Sequence, residues 1–203
     1  AQQTIDSDLL SGFEIRRPKH SKSGIFVTEN GTLITTAEAV EECSAITIDR
    51  NYQAKVTALD TTLGVAIVVP TEALSPISVG RFSNLPARLS QQIITAGYSF
   101  EGVLEASSLT NGVIKDTKGL FNERDHLRLA LPALSGDAGG PVLGESATVL
   151  GMLKDRETGP RSLPDEVSFA ITSTALVKLL KRNRVRVQTT STLASIPVRQ
   201  RAK

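Results

Sequence analysis

The chain has 203 residues, of which 40% are hydrophobic and 4% aromatic. This length suffices for one large domain or for two small barrels that share a cleft, and the apolar content excludes wholesale disorder. No uniformly apolar run is long enough to cross a bilayer, so no transmembrane segment is predicted.

The formal net charge of +2 is unevenly distributed along the chain. Residues 181–203 contain seven Lys or Arg and no acid, so the first 180 residues carry a net charge of −5. We interpret residues 182–203 as a basic tail or linker, and 181–203 as a possible contact for an anionic partner, either a membrane surface or an acidic protein face. Nucleic acid is not expected, because the body is acidic and few aromatic side chains are available for base stacking.

A single cysteine, Cys43, excludes an internal disulfide. The start of the chain, Ala1-Gln2-Gln3, resembles a mature end left by signal-peptide cleavage. Together these features predict a bacterial protein that is periplasmic or secreted.

Histidine and cysteine are too sparse and too scattered for a typical metal site. Only His20 and His126 could supply imidazole ligands, and neither has metal-binding spacing. No metal and no other cofactor is therefore predicted. Glu38 and Asp137 could bind a cation weakly if the fold brings them together.

The first half of the chain consists of short β-rich runs at close spacing, which is typical of a barrel. Asn30-Gly31 is a tight hairpin signal. The predicted strands cover residues 23–28, 32–36, 45–49, 54–59 and 65–69. Residues 70–86, with three prolines and scattered Ser and Glu, are predicted to connect two barrels.

The second half repeats this pattern and ends in a helix. Its predicted strands cover residues 92–97, 109–114, 127–132, 149–153 and 167–171, with a surface loop at 154–166. A helix is predicted to begin at a cap formed by Thr172 or Ser173 and to run through Lys181. Its apolar face consists of Ala175, Leu176, Leu179 and Leu180.

One loop carries the first chemical motif. Residues 135–141, SGDAGGP, resemble the GDSGGP signature of the chymotrypsin-like serine peptidases, with Ala138 at the position of the nucleophilic serine. A methyl group has no lone pair with which to attack a carbonyl. In that family the loop directs backbone N–H groups into an oxyanion hole, which the resemblance places at Gly136, Asp137 and Ala138.

Two further motifs follow the order of the same family. Residues 35–40 resemble the TNxHVV segment of its HtrA (Deg) branch, which puts Glu38 at the position of the histidine base. Residues 60–67 resemble DxxTDLALL, with Gly64 replacing the aspartate that orients the histidine. Glutamate has a reference pKa of roughly 4.3, about two units below that of histidine, so it is a poorer base for a hydroxyl nucleophile. Because each triad member acts through the others, the resemblance implies a degenerate triad at Glu38, Gly64 and Ala138.

The resemblance extends over residues 23–181 and implies an all-β fold of two antiparallel six-stranded barrels followed by a C-terminal helix. We expect an N-terminal barrel with an extension in 1–85, and a C-terminal barrel plus the helix in 86–181. The strand that resembles the family's GFAIP segment is expected to pair with bound peptide; it consists of Val167, Ser168, Phe169, Ala170 and Ile171.

These motifs predict a pseudopeptidase, a non-catalytic protein that binds a protein or peptide partner as a scaffold or regulator. Two alternatives stay open at this point. One is a hydrolase with a rearranged site in which Glu38 or Asp137 activates water. The other is a purely structural module whose cleft is vestigial.

Overall fold

Two β-sheets and one α-helix make up the described part of the computed structural model, which covers residues 18–102, 106–156 and 163–191.

The first sheet is formed by β1 (Ile25–Phe26), β2 (Leu33–Thr36), β3 (Ile46–Ile48), β4 (Tyr52–Asp60) and β5 (Val65–Pro70). Its strands are antiparallel and lie in the order β1-β2-β5-β4-β3. The β1–β2 hairpin turns at the predicted Asn30-Gly31, where Gly31 has a φ of +86° that glycine adopts without a steric penalty. Within the described ranges this sheet is an open half-barrel of five strands, one fewer than predicted.

The second sheet contains a closed barrel. Its strands are β6 (Arg81–Ser83), β7 (Gln92–Gly97), β8 (Ser108–Asp116), β9 (His126–Ala130), β10 (Pro141–Leu143), β11 (Val149–Leu153), β12 (Val167–Thr172) and β13 (Gln188–Thr190). The order is β10-β7-β8-β9-β12-β11-β6-β13, and β10 also pairs with β11, so six strands close on themselves. The predicted all-β class with a six-stranded C-terminal barrel is confirmed.

β6 and β13 lie outside this ring, and the sequence did not predict either of them. β6 pairs with β11 and β13 pairs with β6, both in parallel. β6 falls in the segment predicted to connect the barrels, and β13 falls in the segment predicted to be a tail or linker. Each has only three residues, too few to show an alternating pattern, and each is held by partners distant in the sequence.

The C-terminal helix α1 (Ser173–Arg182) begins where predicted, because the Thr172 hydroxyl accepts a hydrogen bond from the Ala175 N–H at 3.3 Å. Its predicted apolar face is buried, with Leu176 and Leu180 fully inaccessible. No helix in the described residues is long and apolar enough to cross a membrane.

A single apolar cluster joins the two sheets and the helix. It includes Ile34 and Ile67 of the first sheet, Phe82 and Met152 of the second, and Leu176 of α1. Complete burial of an aliphatic or aromatic side chain of this size contributes about 1.5–3 kcal/mol. The side chains between the two halves are therefore buried as completely as those inside either half.

An ion pair fastens α1 to the end of β4. The Asp60 carboxylate accepts a hydrogen bond from the Leu63 N–H at 2.9 Å and lies 2.5 Å from the Arg182 guanidinium. The backbone hydrogen bond from Leu63 and, after it, the contact with Arg182 hold the pKa of Asp60 below its ordinary value.

We expect Asp60→Asn to lower the free energy of unfolding at neutral pH by about 1 kcal/mol, since a partly exposed ion pair and one hydrogen bond are weakened. A carboxyl group whose pKa is depressed by folding stabilises the protein above its unfolded-state pKa of about 3.9, and this stabilisation is lost as the pH falls through the folded-state pKa. Urea unfolding of both proteins from pH 7 to pH 3 should therefore show the difference shrinking below about pH 4. A difference that stays constant with pH would contradict this assignment.

Candidate functional site

The loop between β9 and β10 is held in a fixed shape by the buried Asp137. Its carboxylate accepts hydrogen bonds from the Ser99 hydroxyl at 2.6 Å and from the Leu134 N–H at 2.9 Å. The Asp137 N–H in turn donates to the Leu134 carbonyl at 3.1 Å. One carboxylate oxygen thus accepts from within the loop and the other accepts from Ser99, which follows β7, so Asp137 braces the loop internally and against its surroundings.

Glycine is required in this loop for space as well as for backbone conformation. Gly136 and Gly139 have φ angles of +96° and +89°, in the left-handed region. A Cβ on Gly139 would collide with the Ser23 carbonyl oxygen and would lie 2.8 Å from the Thr35 hydroxyl. The loop therefore packs directly against the segment that leads into β1.

Ser23 makes that contact. Its N–H is shared between the carbonyl oxygens of Gly136 and Ala138, at 2.9 and 3.0 Å. Its hydroxyl donates to the Gly136 carbonyl at 2.7 Å and accepts from the Tyr98 N–H at 2.8 Å. The Thr35 hydroxyl donates to the Ser23 carbonyl at 2.7 Å. Ser23 thus joins three distant stretches of chain at the loop.

Ala138 lies at the centre of this arrangement and is 4% exposed. The N–H groups of Gly136 and Ala138 have no hydrogen-bond acceptor among the described residues, whereas that of Asp137 is engaged. Buried backbone donors without acceptors are rare and often mark a ligand position. Of the three residues predicted to form an oxyanion hole, two therefore have a donor that is available.

The other two predicted triad positions lie on neighbouring segments of the chain. Thr36 pairs with Val65, and the Ala37 N–H donates to the Gly64 carbonyl at 3.0 Å, which sets Glu38 and Gly64 close along neighbouring chains. The Glu38 side chain is exposed and makes no hydrogen bond or ion pair within the described ranges. Gly64 has a φ of +73°, and no atom lies within 4 Å of where its Cβ would be.

The predicted peptide-binding edge is not an edge. β12 pairs with β9 along Val167–Ile171, and on its other side Ala170–Thr172 pair with β11. The Phe169 carbonyl accepts the Lys154 N–H at 2.9 Å, which extends this second contact. Added peptide needs unpaired backbone groups. The structure therefore differs from the expectation that peptide adds along this strand, because β12 is interior.

Residues that follow β11 lie beside the Ala138 loop. Leu153 exchanges backbone hydrogen bonds with this loop, donating to the Gly140 carbonyl and accepting from the Gly139 N–H. Two residues later, the Asp155 carboxylate lies 2.5 Å from the ammonium group of Lys22, whose side chain is 10% exposed. This ion pair joins the end of β11 to the segment that precedes β1, next to Ser23.

The described ranges contain no group of three His, Cys, Asp or Glu side chains that could hold a metal ion. His20 is exposed, and His126 begins β9, where it pairs with Ile171 across the sheet. Because both Asp137 oxygens accept protein hydrogen bonds, the cation site envisaged for Glu38 and Asp137 has no oxygen of Asp137 left without a donor.

Residues 22–152 match the family model of the trypsin-like peptidase domain. The chain belongs to this family. Among curated proteins, this trypsin-like chain is 27% identical to the human serine protease HTRA4 over 169 residues, 77% of the chain and 33% of HTRA4. It is 25% identical to the protein y4bJ of Sinorhizobium fredii over 171 residues, 78% of the chain and 26% of y4bJ. The chain thus spans about a quarter to a third of the length of these relatives.

Solved structures show the same fold at lower identity. An inactive form of Rv3671c from M. tuberculosis superposes with a TM-score of 0.64 at 19% identity, covering 82% of this chain and 83% of that one. A serine endoprotease from Yersinia pestis superposes with a TM-score of 0.64 at 15% identity, covering 79% and 56%. The predicted membership of the HtrA-type, chymotrypsin-like family is confirmed.

Ser23, Thr35 and Ser99, which hold this trypsin-like loop in place, were not singled out in the sequence. Their partners are distant in the sequence; Ser23 and Gly136 are 113 positions apart. The local signal for Ser23 is faint: a hydroxyl residue directly before the glycine that precedes a strand. Only the folded chain shows that this hydroxyl both donates and accepts.

We expect Ser23→Ala to lower the free energy of unfolding by about 1–3 kcal/mol, because the Tyr98 N–H loses its acceptor in a buried place. Urea unfolding should give this loss, while Ser107→Ala, at an exposed serine, should change the stability by less than about 0.5 kcal/mol. Equal effects of the two variants would show that the Ser23 hydroxyl does not brace the loop.

Proposed function

We propose that this trypsin-like chain is a pseudopeptidase: it binds an extended segment of a protein or peptide in its cleft and does not cleave it. The observation that carries the proposal is Ala138, a methyl group on a loop that otherwise keeps its glycines, its brace and two available backbone donors. Such a loop can hold a carbonyl or carboxylate oxygen, but it has no nucleophile.

The surroundings of Ala138 support loss of the whole triad. Glu38 has no hydrogen-bond partner in the described residues that would orient it, and Gly64 has no side chain. In triads of this kind the base is positioned by a third group and the nucleophile is activated by the base. With all three roles vacant, a binding function is favoured over cleavage.

The end of β11 supplies the edge to which a peptide would add. The N–H and C=O groups of Leu153 are directed to the Ala138 loop, and the N–H of Lys154 is directed to β12. Backbone groups of successive residues in an extended chain alternate between its two sides. The N–H and C=O groups of Asp155 are therefore directed to the side of the Ala138 loop. There they have no backbone hydrogen-bond partner among the described residues.

A ligand strand paired with Asp155 would run past the two free donors of Gly136 and Ala138. The ion pair between Asp155 and Lys22 fixes this edge relative to the segment before β1, so the edge is ordered before any ligand arrives. Pre-ordering reduces the conformational entropy lost on binding.

A hydrolase with a rearranged site receives less support. Asp137 is only 4% exposed, and each of its oxygens already accepts a protein hydrogen bond, so its surroundings favour a bracing role over activation of a water molecule. Glu38 is exposed and forms no hydrogen bond or ion pair with any residue that the structure describes. We therefore retain binding without cleavage as the function of the cleft.

The first test is hydrolysis of fluorescein-labelled β-casein, an unfolded protein, by the purified chain with and without added divalent metal ions. We expect no turnover above that of Ala138→Trp, in which the cleft is filled. Turnover in the wild type alone would overturn the proposal and make Glu38 and Asp137 the next residues to substitute.

Binding of the same casein, measured by fluorescence anisotropy, tests the edge. Asp155→Pro removes the N–H directed to the ligand and should weaken binding at least about tenfold. Asp155→Asn also breaks the ion pair with Lys22 but keeps the N–H, so it should bind within about threefold of wild type. Wild-type affinity in both Asp155→Pro and Ala138→Trp would leave the cleft vestigial, as the structural-module alternative requires.

A further inference from the structure

The outermost strand of the second sheet, β13, presents an open edge. It pairs in parallel with β6, and the Asn84 N–H donates to the Thr190 carbonyl at 2.9 Å. The backbone N–H and C=O groups of Thr190 and, by alternation, of Gln188 are therefore directed to β6. The backbone groups of Val187 and Thr189 are directed to the opposite side. No strand pairs with that side in the described part of the chain.

A groove of about 410 Å³ lies between the start of β13 and the turn of the β1–β2 hairpin. Its apolar lining comes from Val27, Val79 and Val187. Glu29 stands on the hairpin side and Arg186 on the β13 side. Ligand sites of this kind typically measure about 300–1,000 Å³, so the groove is large enough for several residues of an extended peptide.

The chain around β13 is strongly basic. Residues 173–191 contain Lys178, Lys181, Arg182, Arg184 and Arg186 and no acidic residue. Arg182 is engaged by Asp60. Arg184 and Arg186 are exposed and form no ion pair within the described ranges. Val185 and Val187, which alternate with them along the chain, pack against the core. Because exposed arginines alternate with partly buried valines, positive charge faces outward beside the unpaired backbone groups of β13.

We propose that β13 and the adjoining groove form a second binding site, which takes an extended, acidic peptide segment of a protein partner as an additional β-strand. The free N–H and C=O groups of Val187 and Thr189 would pair with the peptide backbone. Apolar side chains on one face of the peptide would enter the groove, and acidic side chains on the other would meet Arg184 and Arg186.

The open strand edge decides between anionic partners. A phosphate backbone or an anionic membrane would be attracted by the same arginines, but neither offers alternating N–H and C=O groups at the spacing of a strand. The site does not involve Ala138 or Asp155, so it stands whether or not the cleft binds peptide.

The test uses the full chain and a fluorescein-labelled ten-residue peptide of alternating Glu and Val, followed by fluorescence anisotropy. Its Lys-Val counterpart should bind at least about tenfold more weakly because its charge is reversed. Thr189→Pro removes an N–H on the open side only, and should weaken binding at least about tenfold, whereas Thr189→Val keeps that N–H and should bind as wild type does. Asp155→Pro, which blocks the cleft edge, should leave this affinity unchanged.

A second variant keeps the test decisive if Thr189→Pro fails to fold. Arg184→Glu/Arg186→Glu leaves the backbone intact and should weaken binding of the Glu-Val peptide at least about tenfold, whereas Lys55→Glu on exposed β4 should not. Equal binding of the two peptides, wild-type affinity in these β13 variants, or equally effective competition by anionic vesicles or polyadenylate would overturn the proposal.

Discussion

The Ala138→Ser variant is expected to hydrolyse labelled β-casein no faster than the wild-type chain does. The new hydroxyl would stand on a braced loop beside two available N–H donors, but we expect it to lack a base that takes its proton. Among the described residues Glu38 has no hydrogen-bond or ion-pair partner that would orient it, and Gly64 carries no side chain. Triad members act as a unit, and removing all of them lowers the rate of hydrolysis by about 10⁶-fold. Restoring one member alone therefore recovers almost none of this lost rate.

The triple variant Glu38→His/Gly64→Asp/Ala138→Ser should behave differently. The exposed Glu38 has no partner in the described structure to lose, and the space around a side chain at Gly64 is empty out to 4 Å. Its φ of +73° costs a non-glycine residue about 1–2 kcal/mol, which aspartate tolerates better than most. We expect hydrolysis at least about 10³-fold faster than with Ala138→Ser alone.

Controls separate catalysis from contamination. A fluorophosphonate probe, which labels activated serines, should label the triple variant and not Ala138→Ser, and the Glu38→His/Gly64→Asp double variant should neither be labelled nor cleave casein. Cleavage by Ala138→Ser alone would mean that Glu38 is a working base, and only the nucleophile would then be missing from the wild-type site.

The second large effect concerns stability. Gly139→Ala should lower the free energy of unfolding by more than about 3 kcal/mol, because its Cβ would collide with the Ser23 carbonyl oxygen while the residue keeps a positive φ. Backbone atoms on both sides would have to move, and the hydrogen bonds of Ser23 to Gly136 and Ala138 would be disturbed.

Gly64→Ala is the matched control, since it imposes a similar positive φ without any collision. It should cost only about 1–2 kcal/mol. Urea unfolding of both variants measures the difference, which isolates the contact between the loop and Ser23. Equal losses would mean that backbone conformation alone explains the need for glycine at Gly139.

Local sequence patterns predicted the parts of the fold that are determined locally. The helix, its Thr172 cap and most strands follow from alternation, capping residues and turn signals within short windows. The hairpin at Asn30-Gly31 and the glycines of the Ala138 loop belong to the same class, because a positive φ is a property of one residue and its neighbours.

Features that depend on pairing between distant residues could not be predicted in this way. An apolar strand such as β12 looks the same in sequence whether it lies at an edge or in the interior, so its closure by β9 and β11 was missed. For the same reason Asp155 went unnoticed within a charged loop, although Lys22, 133 positions earlier, anchors it beside the Ala138 loop. The prediction of a degenerate triad at Glu38, Gly64 and Ala138 rests on a separate motif for each position, so it needed no knowledge of pairing between distant residues.

The apolar cluster that joins Ile34 and Ile67 to Phe82, Met152 and Leu176 has a consequence for how the molecule loses its structure. Neither half can separate without exposing the same buried surface, so melting of the two halves is thermodynamically coupled. Loosening of the first sheet would uncover the side chains on which the closed barrel and α1 rest. We therefore expect the described sheets and helix to unfold as one cooperative unit, and fragments cut between β5 and β6 would each lack part of their own interior.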